Sequence, residues 1–285
     1  TGSGKSEMLR TLVTSLAINH PPEQLALLLV DFKGGATFAD LDPLPHTAGL
    51  VTNLADDDTL VARFREAMFG ELTRRQQVLK EHGNLPNVHA YEALRDSGRT
   101  DLPPLPHLLV IIDEFSELLT AHPDFAELFI AIGRIGRSIG VHLLLATQRL
   151  ESGRIKGLES HLSYRIGLRT FSEAESREAI GVADAYHLPP DPGSGYLKVD
   201  TSVFERFKAA MVSQPYQPPG DDEPEAESVV PLLSYNGLHT LDAADSIVEA
   251  VTARLGERRQ SGEETRSTLQ VAVERLRAAG APRVR

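Results

Sequence analysis

Four short apolar runs limit what this chain can fold into: Leu25–Val30 (LALLLV), Leu108–Ile112 (LLVII), Val141–Ala146 (VHLLLA) and a weaker one at Ile166–Leu168. They are continuous rather than alternating, as expected of strands in a parallel sheet with helices covering both faces. Between the runs the period changes. Met8, Leu9, Leu12, Val13 and Leu16 recur at spacings of three and four after Lys5, the signature of an amphipathic helix. Leu60–Lys80 predicts a second, long helix with Val61, Phe64, Met68, Leu72 and Val78 near one face, and Phe125–Ser138 predicts a third, stopped near Gly140. Strands alternating with helices imply βαβ units, hence an α/β fold with a mostly parallel, doubly wound sheet.

The chain opens on Thr1-Gly2-Ser3-Gly4-Lys5-Ser6, the back end of G-x-x-x-x-G-K-[ST], and the first glycine of that pattern would lie upstream of Thr1. Gly2, Ser3 and Gly4 let backbone N–H groups curl around phosphate oxygens. Lys5 reaches the β- and γ-phosphates, the Ser6 hydroxyl is a Mg²⁺ ligand, and the dipole of the helix that Glu7 enters adds positive potential. Gly2 through Glu7 are therefore the expected nucleotide-binding residues. A Gly/Ser loop at a helix start is the bland reading; the amphipathic helix and apolar strand that follow weigh against it.

LLVIIDEF places Asp113 at the carboxyl end of a buried strand, where ligands bind in such sheets. Asp113 is expected to hold Mg²⁺ through water, and Glu114 to orient or deprotonate the water that attacks the γ-phosphate. Acids also cap helix amino ends, so Asp-Glu alone is ambiguous; the upstream phosphate loop decides the matter. Thr147-Gln148-Arg149 ends another apolar strand, and Gln148 has the chemistry of a γ-phosphate sensor, with a turn-forming polar end as the alternative. Asp31 and Lys33 end the strand at Leu25–Val30. They either lie near the site or pair with each other.

Composition removes several classes. The net charge of −11 argues against a generic polyanion-binding surface, since nucleic-acid affinity rests on Lys and Arg neutralising phosphates. Trp is absent and aromatics are 6%, which disfavours base-stacking platforms. Cysteine is absent, so there are no disulfides or thiolate metal sites. No window approaches 18 uninterrupted apolar residues, and no signal peptide is visible in this stretch. The character changes near Pro215. Tyr216–Glu227 (YQPPGDDEPEAE) reads as an exposed acidic linker, and Leu241–Leu255 and Thr268–Ala279 as helices that pack on the main domain or lead into another.

The segments TGSGKSE, LLVDFKGGATFADLDPLPHTAGLVTNL, PHLLVIIDEFSELL and GRSIGVHLLLATQR together resemble the FtsK/SpoIIIE group of P-loop motors. Within that group they resemble the first ATPase domain of the EccC motors of type VII (ESX) secretion, and DFKGGATF with Asp42-Pro43-Leu44-Pro45-His46-Thr47-Ala48-Gly49 separates these from the DNA translocases. The resemblance covers roughly Thr1–Gln214, more weakly Thr268–Arg283. It implies a RecA-like ASCE P-loop NTPase fold, ATP and Mg²⁺, and a homo-oligomer, expected as a hexameric ring. It further implies partners among other ATPase domains of the same motor, membrane components of the secretion system and secreted substrate proteins, with nucleic acid disfavoured. The expected location is the cytoplasmic face of the cell membrane, anchored by segments absent from this chain.

The domain scheme that follows is an ATPase domain at 1–214, a Pro-rich acidic linker at 215–228 and a helical extension at 229–285. Motors of this class usually receive an arginine from a neighbouring subunit. The resemblance favours Arg63 or Arg65, then Arg137; Arg74, Arg75, Arg134, Arg165 and Arg169 are further candidates, each more often a solvated or locally paired residue. LESGRIKG after Arg149 departs from the DNA-pumping relatives, which usually carry a Pro there. Two rival readings stay open: a DNA translocase of the same fold, or a regulatory ATP-binding domain with little hydrolysis of its own.

Overall fold

The three longer apolar runs lie side by side in a computed structural model that describes residues 2–34, 37–99, 101–149, 157–200, 202–218 and 266–280. They form β1 (Leu25–Asp31), β3 (His107–Asp113) and β4 (Val141–Ala146), joined by β2 (Thr47–Thr52) in a parallel sheet of order β2-β1-β3-β4. β2 is an edge strand of mixed sequence (TAGLVT), which is why apolar periodicity alone does not announce it. Asp31 pairs in register with Asp113, and Asp113 with Ala146, so β1, β3 and β4 end at one level.

Side chains alternate between the two faces of a strand, and each face of this sheet meets a helical layer. Leu25, Leu27 and Leu29 of β1 with Ile111 of β3 pack against Leu9, Val13 and Ala17 of α1 (Lys5–Asn19). On the other face Ala26, Val30, Leu108, Val110 and Ile112 meet Phe64, Met68 and Leu72 of α2 (Asp58–Glu81) and Phe125, Phe129 and Ile132 of α5 (Phe125–Ile139). The short helices α3 (Val88–Asp96) and α4 (Phe115–Ala121) complete that second layer through Val88, Tyr91, Phe115 and Leu118.

The fourth apolar run does something else. Instead of a buried parallel strand, β5 (Tyr164–Leu168) belongs to an antiparallel sheet with β6 (Ser194–Val199) and β7 (Val203–Lys208), in the order β5-β6-β7. Arg165 and Gly167 interrupt its apolar residues, the pattern of a half-covered strand. Tyr164 and Ile166 are exposed, while α6 (Glu173–Ile180) closes a small separate core with Ile180, Ala185 and Leu188.

The chain divides into two compact units, Thr1–Gln214 with Leu269–Arg285, and Pro215–Thr268. The last helix, α7 (Thr268–Ala278), contributes Leu269 and Val273 to the core on the α1 face, and Leu269 N–H donates to the Val212 carbonyl at 2.8 Å. Within Pro215–Thr268, Pro215 bridges to Ser267 and Tyr216 N–H donates to the Arg266 carbonyl at 2.9 Å. Most of the expected linker, the helix expected over Leu241–Leu255, and residues 150–156 of LESGRIKG lie outside the described residues. Among the described residues no helix is long and apolar enough to cross a membrane.

One arginine candidate turns out to be structural. Arg75 is 2% exposed; its guanidinium donates to the carbonyls of Ile139 (3.1 Å), Gly140 (3.2 Å) and Pro106 (2.8 Å) and to Glu71 Oε1 (2.7 Å). It thereby caps the end of α5 and fixes the entry to β3, and it has no surface to offer a neighbouring subunit. Burial pushes the Glu71 carboxyl up, but hydrogen bonds from Arg74 and Arg75 outweigh it and hold it below its usual range. Arg75→Met is expected to cost about 3 kcal/mol, because three carbonyls lose their donor together and the Glu71 carboxylate keeps only Arg74. Urea unfolding of the two proteins measures it.

Candidate functional site

The carboxyl ends of β1, β3 and β4 carry Asp31, Asp113 and the Thr147-Gln148 pair, and the amino end of α1 carries the loop Gly2–Gly4. Gly4 caps α1 in a left-handed conformation (φ +93°), and a Cβ there would meet Gly193 N at 2.5 Å. Only glycine fits. Gly193 N–H donates to the Ser3 carbonyl at 2.8 Å, so the turn ahead of β6 pins the loop from outside. The antiparallel sheet, unforeseen from sequence, thus helps to hold the phosphate loop in place.

Lys5 is the hub of the site. Its ammonium donates to Asp113 Oδ1 and, at 2.6 Å, to Glu114 Oε1. The three side chains are 13%, 5% and 7% exposed respectively, so this is a nearly dry cluster of two carboxylates around one cation. Burial pushes the Glu114 carboxyl up; the Lys5 hydrogen bond and charge, with donors from Gln148, outweigh it and hold the pKa below the usual glutamate value. Glu114 is therefore ionised at neutral pH. Its backbone is left-handed (φ 59°, ψ 41°), a conformation costing a side-chain-bearing residue roughly 1 kcal/mol and concentrated at functional sites. Asp113 Oδ1 accepts the Glu114 N–H at 3.0 Å, which helps to hold that turn.

Gln148 reaches the cluster from β4. Its Nε2 donates to Glu114 Oε1 at 2.6 Å and its backbone N–H to Oε2 at 3.3 Å. The residue expected to sense phosphate is thus bonded directly to the residue expected to activate water.

Sequence reading missed Thr37. This buried hydroxyl donates to Asp113 Oδ2 at 3.3 Å and lies 3.5 Å from Ser6 Oγ, bridging the two expected metal-binding residues. Arg10 of α1 donates to the Thr37 carbonyl at 2.9 Å and sets its height. The signal was present in DFKGGATF, which sequence alone treats as a family marker. Ser6, Thr37 and Asp113 together offer hydroxyl and carboxylate oxygens only, the donor set of a hard divalent cation.

Other expected residues are placed differently. Both carboxylate oxygens of Glu7 are engaged by Ser213, at 2.8 Å from its N–H and 2.6 Å from its hydroxyl, so this side chain ties α1 to the segment after β7. Asp31 lies beside Asp113 and accepts the Lys33 N–H at 3.2 Å, whereas the Lys33 ammonium pairs with Glu117 at 2.5 Å. Arg65 is paired with Asp124, and Arg74 with Glu71. Arg63 and Arg137 are exposed and form no ion pair or hydrogen bond with a described residue.

A phosphate loop and a carboxylate pair that meet across one strand end form the arrangement of a P-loop ATPase domain. The FtsK/SpoIIIE family profile matches residues 1–152, and the chain belongs to that family. It is 57% identical over 233 residues to an ESX secretion system protein EccC of Thermomonospora curvata, covering 82% of this chain and 17% of that protein. It is 55% identical over 215 residues to an ESX-4 secretion system protein of Mycobacterium tuberculosis, covering 75% and 17%. The solved cytoplasmic domain of the T. curvata type VII secretion ATPase EccC superposes with a TM-score of 0.80 at 47% identity, over 100% of this chain and 28% of that one. The chain thus spans under a fifth of the length of these two curated relatives.

Proposed function

We propose that this chain is a Mg²⁺-dependent ATP-hydrolysing domain of a motor that powers or regulates protein export through a type VII secretion system. The observation that carries the reading is the high identity to proteins described as ESX secretion components over four-fifths of the chain, together with an intact Lys5–Asp113–Glu114–Gln148 cluster. In this reading Gly2–Ser6 bind the phosphates, Ser6 and Asp113 hold Mg²⁺ with Thr37 fixing their spacing, Glu114 orients the attacking water and Gln148 reports the γ-phosphate. Magnesium would neutralise charge on the β- and γ-oxygens. Nucleotide entry requires Lys5 to leave the two carboxylates for phosphate oxygens, and that exchange releases Glu114.

The proposed surroundings follow from the same relatives. The domain at 1–214 continues through an acidic linker towards a following ATPase domain, in a homo-oligomeric ring at the cytoplasmic face of the membrane, with anchor segments and secreted proteins as partners. The helix α7 refines this scheme, since it packs within the first domain's own core.

Two measurements test it. Lys5→Ala is expected to weaken nucleotide binding about 10–100-fold, the size of a lost charge-assisted bond, and a strain carrying only that variant should retain its secreted proteins. Normal export would overturn the reading, and a salt-sensitive, DNA-stimulated ATPase rate would replace it with DNA translocation. Thr37→Val should weaken nucleotide affinity about tenfold in Mg²⁺ and leave the metal-free affinity unchanged. Titration of a fluorescent nucleotide with and without Mg²⁺ separates the two.

A further inference from the structure

A second cluster of ligating side chains sits at the other end of β3. His107 opens that strand and Asp113 closes it, about 20 Å apart at the rise of an extended strand. His89 and Glu92, three residues apart on α3, project from one helix face towards His107. His89 Nδ1 lies 3.3 Å from Glu92 Oε2, and His107 Nε2 lies 3.6 Å from Glu92 Oε1. One ligand atom from each of the three falls within 4.8 Å of the others.

The fourth member explains why His107 faces them. His107 Nδ1 is 2.9 Å from Nε2 of His142 on β4, with the rings stacked at 5.1 Å and 27°. A contact that short between ring nitrogens needs a hydrogen on one and a lone pair on the other. With His107 Nδ1–H donating to His142, the lone pair of His107 is left on Nε2, the atom turned to Glu92. An imidazole with one nitrogen open and the other donating to a fixed acceptor is the usual form of a metal-ligating histidine.

We propose that His89, Glu92 and His107 bind a borderline divalent transition metal of the Zn²⁺ class, with His142 positioning His107 and water completing the coordination. Two imidazoles and a carboxylate suit Zn²⁺, Co²⁺ or Ni²⁺; Mg²⁺ prefers oxygen ligands and goes to the nucleotide site. Bound there, the ion would staple α3 to the amino end of the strand that carries Asp113 and Glu114.

Calorimetric titration of the 285-residue chain with Zn²⁺, without nucleotide, tests it. One saturable site is expected that Mg²⁺ does not compete for, and Co²⁺ in its place should give tetrahedral visible absorption. His89→Ala and Glu92→Gln should each weaken Zn²⁺ binding at least tenfold, and the 72% exposure of the His89 side chain makes misfolding of that variant an unsuitable explanation. His142→Ala should lose about tenfold, and His142→Gln, whose amide oxygen still accepts from His107, should recover most of it. The chain has ten histidines, so adventitious binding is the competing outcome. Absence of a saturable site, or wild-type affinity in either His89→Ala or Glu92→Gln, overturns the proposal; equal loss in both His142 variants overturns the positioning role.

Discussion

Glu114→Gln is expected to slow ATP hydrolysis by about 10²–10⁴-fold while nucleotide binding is kept or strengthened. The substitution preserves shape and removes the charge that would draw a proton from water. Retained binding follows from the ground state: Lys5 is shared between Asp113 and Glu114, and removing one carboxylate leaves the ammonium with a single competitor to phosphate. Gln148 loses its carboxylate acceptor but keeps an amide oxygen within reach of its Nε2. Rapid-quench hydrolysis and equilibrium nucleotide titration on the same preparations measure the two effects. Wild-type turnover in the variant would leave Glu114 as no more than the cap of α4.

The same residue shows what could be read in the sequence. Lys5, Ser6, Asp113 and Glu114 each sit where a local pattern changes, at a helix start or a strand end, so local rules place them. Thr37 has no such marker. It enters the site because the segment after β1 folds back over α1 and Arg10 holds its carbonyl, a contact set by tertiary packing. Gly193 is similar: nothing near it in the sequence points to Ser3, 190 positions away, to which its N–H donates. The parallel sheet was legible because burial on both faces demands uninterrupted apolar strands. β2, at the edge, and β5, exposed on one side, escape that demand, and their sequences look like loops or weak strands. Arginine roles were least legible, because the partner of a long cationic side chain depends on what happens to stand opposite it, as Arg75 shows.

An isolated subunit is expected to be a slow ATPase, with turnover rising about 10³–10⁵-fold when an arginine from a neighbouring copy reaches the site. The reason is a shortage of positive charge. Among the described residues Lys5 is the only cation hydrogen-bonded to Asp113 or Glu114, whereas the transition state spreads charge over three γ-phosphate oxygens. Arg63 is the leading donor. It is exposed on α2 and is committed to no described residue, whereas Arg65 on the same helix would first have to leave Asp124. Arg137, exposed on α5, comes next. Mixing distinguishes donation in trans from a local effect. Arg63→Ala subunits keep Glu114, and Glu114→Gln subunits keep Arg63, so a mixed oligomer contains interfaces where both groups are intact. Activity should reappear on mixing two inactive preparations and should rise with protein concentration in the unmutated chain. Mixed oligomers that stay inactive, or full turnover by a monomer at any dilution, would rule out donation of Arg63 in trans and point to a cation acting within the subunit itself.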